Sequence, residues 1–424
     1  MQNYLIGYAQ KILTPQLPID LAGYNPIRKA IGIHDDIYVR VITFSNDEAL
    51  HVIVSLDVLA VDHLLYDGVK QRLLRKGIEL DSLHIFATHT HSSVAGICDT
   101  ENGVLKGTEG IVGEVDETLV NHCVHHCTEA ILAALDNKQS FTMEIAKGTV
   151  TGVGKERHNP NKPGDEALVT ICFYLENGKK LLLYHLACHP TVLNSENAYL
   201  SADLPHGVEK KLVGYDLVLF INGNGGDIST RFTRNSSSFE QIDRFGEIIA
   251  QAIKKTTKYP YFRGAMRHYK VTNKVIHVKA KEVESVQLAE ERLEKLKREV
   301  TPVLATADPA ERRVLESRLE GENTNLLLAK NLRGIKEIPL HCSIIQMNGL
   351  TSVTFPSEVF SSLTRKLKAK DQVSVFAYCN GFNFYLADDD AYEKNYYEAL
   401  SSPFAKGEGE RIIEEIETLL SENK

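Results

Sequence analysis

The sequence predicts an α/β fold: a mixed β-sheet core flanked by helices, carrying one charged helical insertion within a single domain over residues 1–424. Three observations predict it. Strand-like apolar runs alternate with helix-length amphipathic runs from the N-terminus onward. Five of the apolar runs stop abruptly at residues able to hold a metal or move protons, as happens at the carboxyl ends of strands in open α/β sheets. Finally, the composition shifts to Glu, Lys, Arg and Leu over 281–333 and then returns to a β pattern at 339–347, which marks an insertion in one domain and not a linker between two.

Taken in order, the start at Leu5-Ile6-Gly7-Tyr8 reads as the first strand; it has neither the basic opening nor the long apolar stretch of a signal peptide. The run 51–56 is a buried strand ending at Asp57, and 61–76 reads as the helix after it. Residues 116–135 have helical periodicity, which makes His122 and His126, and Cys123 and Cys127, neighbours one turn apart. A metal clip is one reading of that quartet. Leu119, Cys123, Ile131 and Leu135 equally suit a plain apolar helix face, the usual fate of a free cysteine. A helix is expected over 239–254 and a last one over 412–420. In the insertion, Leu293, Leu296 and Val300 fall at i, i+3 and i+7, while Pro302 and Asp308-Pro309 divide it into segments. It would be a solvated arm, a lid over the site, or a contact between copies of a homo-oligomer.

Bulk properties exclude some functions. A formal net charge of −8 argues against a nucleic-acid binder. No run of about 18 apolar residues is present, so no transmembrane helix is expected. The seven cysteines form an odd, scattered set, which suits reduced thiols and a cytoplasmic location.

The chemistry lies at the strand ends. The run 83–87 opens onto Thr88-His89-Thr90-His91-Ser92, and 181–184 leads through His185 to Cys188-His189-Pro190-Thr191. The run 217–221 breaks at Asn222-Gly223-Asn224-Gly225-Gly226-Asp227-Ile228-Ser229. Val353-Thr354-Phe355 ends at Pro356-Ser357-Glu358, and 373–377 ends before Asn380-Gly381. His89 and His91, two residues apart, point to one side of an extended chain, and neutral imidazole suits zinc. Ser229 could suggest a nucleophile, but serine needs an adjacent base and the Gly-x-Ser-x-Gly elbow is absent. A substrate-binding hydroxyl is the better reading. Asp203 and Asp227 would orient histidines or loops, or simply cap turns.

Six ordered blocks give the chain a family resemblance. Leu5-Ile6-Gly7 through Gly32-Ile33-His34-Asp35, Thr88 to Ser92, Cys188-His189-Pro190-Thr191 with Leu200-Ser201-Ala202-Asp203, and Asn224 to Ser229 are four of them. Phe355-Pro356-Ser357-Glu358 is the fifth, and Asn380-Gly381-Phe382-Asn383-Phe384-Tyr385 with Tyr392 and Tyr397-Glu398 the sixth. Together they resemble the neutral ceramidase family, zinc-dependent neutral/alkaline non-lysosomal amidases, with only the catalytic N-terminal domain represented.

The resemblance implies one zinc per chain held by His89, His189, Glu358 and Tyr385. It also implies His91 beside the metal as proton carrier, Arg157 in contact with substrate, Tyr397 supporting the tetrahedral intermediate, and Ser229 near the scissile bond. Zinc there would acidify a water and polarise the amide carbonyl, while a phenol or guanidinium donates to the developing oxyanion.

Two segments depart from the family pattern: Ser93-Val94-Ala95-Gly96 replaces a Gly-Pro-Gly-Gly turn, and Thr230-Arg231-Phe232-Thr233-Arg234 replaces Pro-Asn. The expected activity is therefore hydrolysis of an N-acyl amide by metal-activated water, with Arg157, Arg231 and Arg234 suited to an anionic group on a small-molecule substrate. The alternatives are a zinc esterase at the same site and a non-catalytic binding protein stapled by the metal.

Overall fold

The computed structural model describes residues 4–159, 161–307, 309–370 and 372–422. Three sheets carry the fold. The first runs Leu5–Ile12, Tyr38–Ser45, Leu50–Leu56, Ser82–Ala87. The second runs Leu217–Asn222, Lys180–Leu186, Ala167–Leu175, Phe141–Thr149, Phe262–Gly264. The third runs Tyr269–Lys279, Glu337–Met347, Leu350–Thr354, Val373–Phe376. Each is antiparallel except for one parallel pair at an edge: Leu50–Leu56 with Ser82–Ala87, Lys180–Leu186 with Leu217–Asn222, and Leu350–Thr354 with Val373–Phe376. The expected class, a mixed α/β core flanked by helices, is the one observed.

The helices that matter below are α1 (His63–Arg75), α2 (Glu117–Asp136), α3 (Phe239–Thr256), α4 (Val286–Leu304), α5 (Pro309–Asn331), α6 (Ser361–Ala369), α7 (Tyr397–Ser401) and α8 (Glu408–Glu422). Their starts follow ordinary capping chemistry. Asp62, Asp116 and Ser238 each accept a hydrogen bond from a backbone N–H of the first turn of α1, α2 and α3.

The strands are apolar throughout because both faces are covered. Alternate residues separate into two cores. Ile42, Phe44, Ile53 and Phe86 of the first sheet meet Ile171, Phe173, Leu183 and Leu219 of the second, and Ile345 and Phe376 of the third, in a central core shared by all three sheets. The opposite faces pack on helices: Val39, Val41, Val52 and Val54 against α1 and α2, and Leu182, Tyr184, Val218 and Phe220 against α3. Cys123 and Cys127 of α2 are fully buried in this outer core, and His122 Nε2 lies 3.0 Å from the Leu13 carbonyl. The quartet is thus an apolar helix face with a hydrogen-bonded rim, and it is not among the metal-capable groups of the described residues.

This stacking brings the carboxyl ends of the parallel pairs together, and Asn222 ties them. Its amide nitrogen donates to the Thr88 carbonyl at 3.1 Å and to the Cys188 carbonyl at 3.0 Å, and its own carbonyl accepts from Ala377 N at 3.0 Å. One buried residue therefore links the exits of all three sheets, its side chain holding the first two and its backbone carbonyl the third.

In the inserted arm, α4 buries Ala289, Leu293, Leu296 and Val300, the spacing read from sequence. α5 then crosses α7 at Gly321, where a Cβ would come 2.9 Å from Leu400 Cδ1 and 3.4 Å from Tyr397 Cα. No described helix is long and apolar enough to cross a membrane.

Candidate metal centre and active site

At the joined strand ends, His89, His91 and His189 bring their ligand atoms within 4.8 Å of one another, a group that could hold a metal ion. Each imidazole is oriented by a backbone carbonyl at Nδ1: Leu59 for His89 at 2.7 Å, Gly23 for His91 at 2.8 Å, and Gly225 for His189 at 2.6 Å. An Nδ1–H held this way leaves the lone pair on Nε2. The three Nε2 atoms face inward, with 3.3 Å between those of His89 and His91.

Glu358 completes the cluster. Its Oε2 lies 2.8 Å from His189 Nε2 and 3.2 Å from His89 Nε2, and all three side chains are nearly inaccessible to solvent. The short ladder pairing Glu358 with Tyr385 sets it there. Burial, reinforced by Arg157, pushes His189 down to about 4.

With its Nδ1–H committed to Gly225 O, neutral His189 turns its Nε2 lone pair toward the Glu358 carboxylate. Among the described residues neither His189 Nε2 nor Glu358 Oε2 has a hydrogen-bond partner. Two facing acceptors deep in the protein call for a cation between them. Donors sharing one tetrahedral zinc at bonds of about 2.0–2.1 Å would lie roughly 3.3 Å apart, close to the spacing found. The donor set fits the metal.

The backbone here is strained. His89, Tyr378, Asn380 and Phe384 hold φ of 70°, 58°, 55° and 51°, a region costly for non-glycine residues and concentrated at functional sites. The ring of Tyr378 stacks on His89 at 4.3 Å. Gly23 must be glycine: φ is 98°, and a Cβ would fall 2.6 Å from the His91 ring.

Around the cluster lies a cleft of about 610 Å³, lined by His91, His189, Arg157, Ser229, Tyr385 and Tyr397 among others. Arg157 Nη1 donates to Glu398 at 3.0 Å and reaches the Tyr385 hydroxyl at 3.5 Å. The Tyr385 and Tyr397 rings sit 5.6 Å apart, edge to face. Burial keeps both phenols protonated far above neutrality. The Ser229 hydroxyl accepts from Arg231 N at 3.4 Å, and among the described residues no histidine hydrogen-bonds to it. Six of the eight site residues read from sequence therefore line one opening, and His89 and Glu358 sit buried against His189 behind it.

Other expected residues have plainer positions. Asp203 accepts from Leu193, Val192 and Leu204 N, capping a short helix and holding the loop beyond His189. Asp227 accepts from the Ser361 N–H and hydroxyl, both at 2.7 Å, at the start of α6. Neither carboxylate touches a histidine; they position loops. Arg234 donates to the carbonyls of Thr191 and Val192, and Arg231 to that of Arg157 at 3.3 Å, so both help build the wall they line.

Glu398 is the functional residue missed. It is buried, bonds Arg157, and accepts from His158 Nε2 at 2.8 Å, while His158 stacks on Tyr396 at 3.7 Å. Burial acts to raise Glu398, yet His158 and Arg157 hold it at about 2. Its signal was its place beside Tyr397 in the Tyr-Glu pair.

Residues 4–208 match the family described as "Neutral/alkaline non-lysosomal ceramidase, N-terminal". That segment, just under half of the chain, is similar to the neutral/alkaline ceramidase family. The matched segment holds His89, His91, Arg157 and His189; Ser229, Glu358, Tyr385 and Tyr397 lie beyond it. The likeness of fold extends over the rest. A neutral ceramidase from Pseudomonas aeruginosa superposes with a TM-score of 0.73 at 15% identity, over 97% of this chain and 73% of that one. A ceramidase complexed with C2 gives 0.73 at 14% identity, over 97% and 74%. No curated protein matches the chain.

Proposed function

We propose that the chain is a metal-dependent amidase that hydrolyses an N-acyl amide, with zinc as the ion. The observation that carries this reading is the pair of facing acceptors, His189 Nε2 and Glu358 Oε2, buried at the floor of a cleft whose walls present Arg157, Tyr385 and Tyr397. His89, His189, Glu358 and Tyr385 would hold the ion. When bound, zinc supplies Lewis acidity toward water and the amide carbonyl.

The remaining groups act from their own positions. His91 borders the cleft and is half-buried, whereas His89 and His189 are buried, so of the three imidazoles it is the most open to substrate. Burial, then its two histidine neighbours, keeps it neutral and able to accept a proton at Nε2 from the attacking water. Gly23 O holds the opposite nitrogen, so Nε2 is the nitrogen that takes that proton and hands it to the leaving amine. Arg157, kept cationic against the pull of burial by the Glu398 carboxylate, and the Tyr397 phenol are donors for the oxyanion. Ser229 offers a hydroxyl to the substrate. The seven buried, unpaired thiols suit the reducing cytoplasm proposed for the protein.

Release of amine from N-acyl amides, measured with chelator and after zinc is restored, tests this reading. Activity should vanish and return. His91→Ala should retain the metal while losing activity by about 10²–10⁴-fold, the usual scale for a proton-transfer group. Loss of metal in that variant would make His91 a ligand instead.

A further inference from the structure

His91 has to take a proton at one nitrogen and hand it on, yet it is the least enclosed of the three imidazoles. A loop near the N-terminus supplies what its own strand does not. The short ladder pairing Asp20–Leu21 with Arg28–Lys29 closes that loop and brings Arg28 against the strand exits. Nη2 of Arg28 donates to the His91 carbonyl at 2.6 Å and to the Ala22 carbonyl at 2.9 Å. Nη1 donates to the carbonyls of Asn197 at 2.8 Å and Asn194 at 3.3 Å, in the loop beyond His189. The guanidinium also lies 4.7 Å from the centre of the Tyr24 ring, and that ring meets the His91 imidazole at 5.0 Å.

These contacts converge on one hydrogen bond. Gly23 O, which holds His91 Nδ1, belongs to the residue after Ala22, so one nitrogen of Arg28 grips both His91 and the neighbour of its acceptor. Bonds from a guanidinium are charge-assisted, and its planar fork fixes their directions. Lysine offers the charge without the fork. The loop keeps other anchors: Ala22 N donates to Ser93 O at 2.9 Å and Gly23 N to Ile111 O at 2.8 Å. Loss of Arg28 therefore leaves the loop attached and frees the register of Gly23 O against the imidazole. Proton transfer is the step that feels this, since a misplacement of about 1 Å can cost about 10²-fold.

We infer that Arg28 is a positioning residue for the reaction, fixing the tautomer and direction of His91; the inference rests on the amidase reading and on proton transfer by His91. Two measurements on the zinc-loaded full chain test it, with Arg28→Met and Arg28→Lys checked for folding by circular dichroism and for zinc by elemental analysis. The first is NMR of chains carrying 15N-histidine, where the His91 signals are those missing from His91→Ala. They should show a single Nδ1–H tautomer in the parent and a mixture in both Arg28 variants, with the His89 and His189 signals unmoved. The second is release of sphingosine from N-dodecanoylsphingosine in mixed micelles. Both variants should lose about 10–100-fold in kcat, the usual loss for an outer partner, with KM within about threefold and zinc retained. In the His91→Ala background Arg28→Met should cost less than about threefold more, because residues that act as a unit do not add. An undisturbed His91 signal, or the full loss repeated in that background, would overturn the inference and leave the amidase reading intact. Should the parent cleave neither this amide nor N-acetylglucosamine, the amidase reading falls and takes the catalytic role of Arg28 with it, whatever the imidazole signal shows.

Discussion

At the scale of single residues, the site depends on how backbone carbonyls and carboxylates fix the direction of each reacting group. Glu398 shows this for Arg157. With its charge removed in Glu398→Gln, kcat should fall about 10–100-fold, the usual loss when an outer partner of a catalytic group is changed. KM and metal content should change far less. Steady-state kinetics beside elemental analysis would check it, and a proportionate loss of metal would contradict a positioning role. The buried acids give a pH prediction of opposite sign. Burial raises Asp227 to about 7 and Asp203 to about 6. Their stability contributions are therefore full below the unfolded carboxylate value and are lost as the pH rises through 6 and 7. Glu398, held at about 2, contributes above its unfolded value and loses that contribution only as the pH falls through 2. Asp227→Asn stays neutral, so between pH 5 and pH 8 it should lose less stability than the parent. Urea denaturation at the two pH values would show equal losses if the carboxylate stayed ionised throughout.

At the scale of elements, the apolar runs and their polar stops were legible because both are local patterns. A strand covered on both faces is apolar along its length, and chemistry can begin only where that cover ends. His89, His91, His189 and Glu358 stood out on that basis, and the family resemblance supplied Arg157, Tyr385 and Tyr397. What joins these ends was not readable. Asn222 contacts Thr88, Cys188 and Ala377 across long stretches of chain, and nothing in its own neighbourhood specifies those partners. Gly23 is unremarkable until the His91 ring lies against it. The arm was legible as helices through Leu293, Leu296 and Val300. That α5 lines the cleft was not, because that follows from where Gly321 docks. Asn222→Ala leaves two buried carbonyls unpaired and should cost about 1–3 kcal/mol for each one that finds no water. Chemical denaturation would measure it, and a neutral effect would contradict the linking role.

At the scale of the whole molecule, the proposed ligands come from three sheets: His89 from the end of the first, His189 from the second, and Glu358 from the third. An ion held among them would bind the folded chain and not the unfolded one. At a thousand times its dissociation constant it would add about 4 kcal/mol. Chelation should therefore lower Tm along with activity, and zinc should restore both. A Tm indifferent to chelator would contradict an ion bridging the sheets.

Elemental analysis of the purified chain beside His189→Ala and Glu358→Ala tests the central claim most directly. The account predicts about one zinc per chain in the parent and its loss in both variants. A parent that binds no metal, even when zinc is offered at neutral pH, would contradict it.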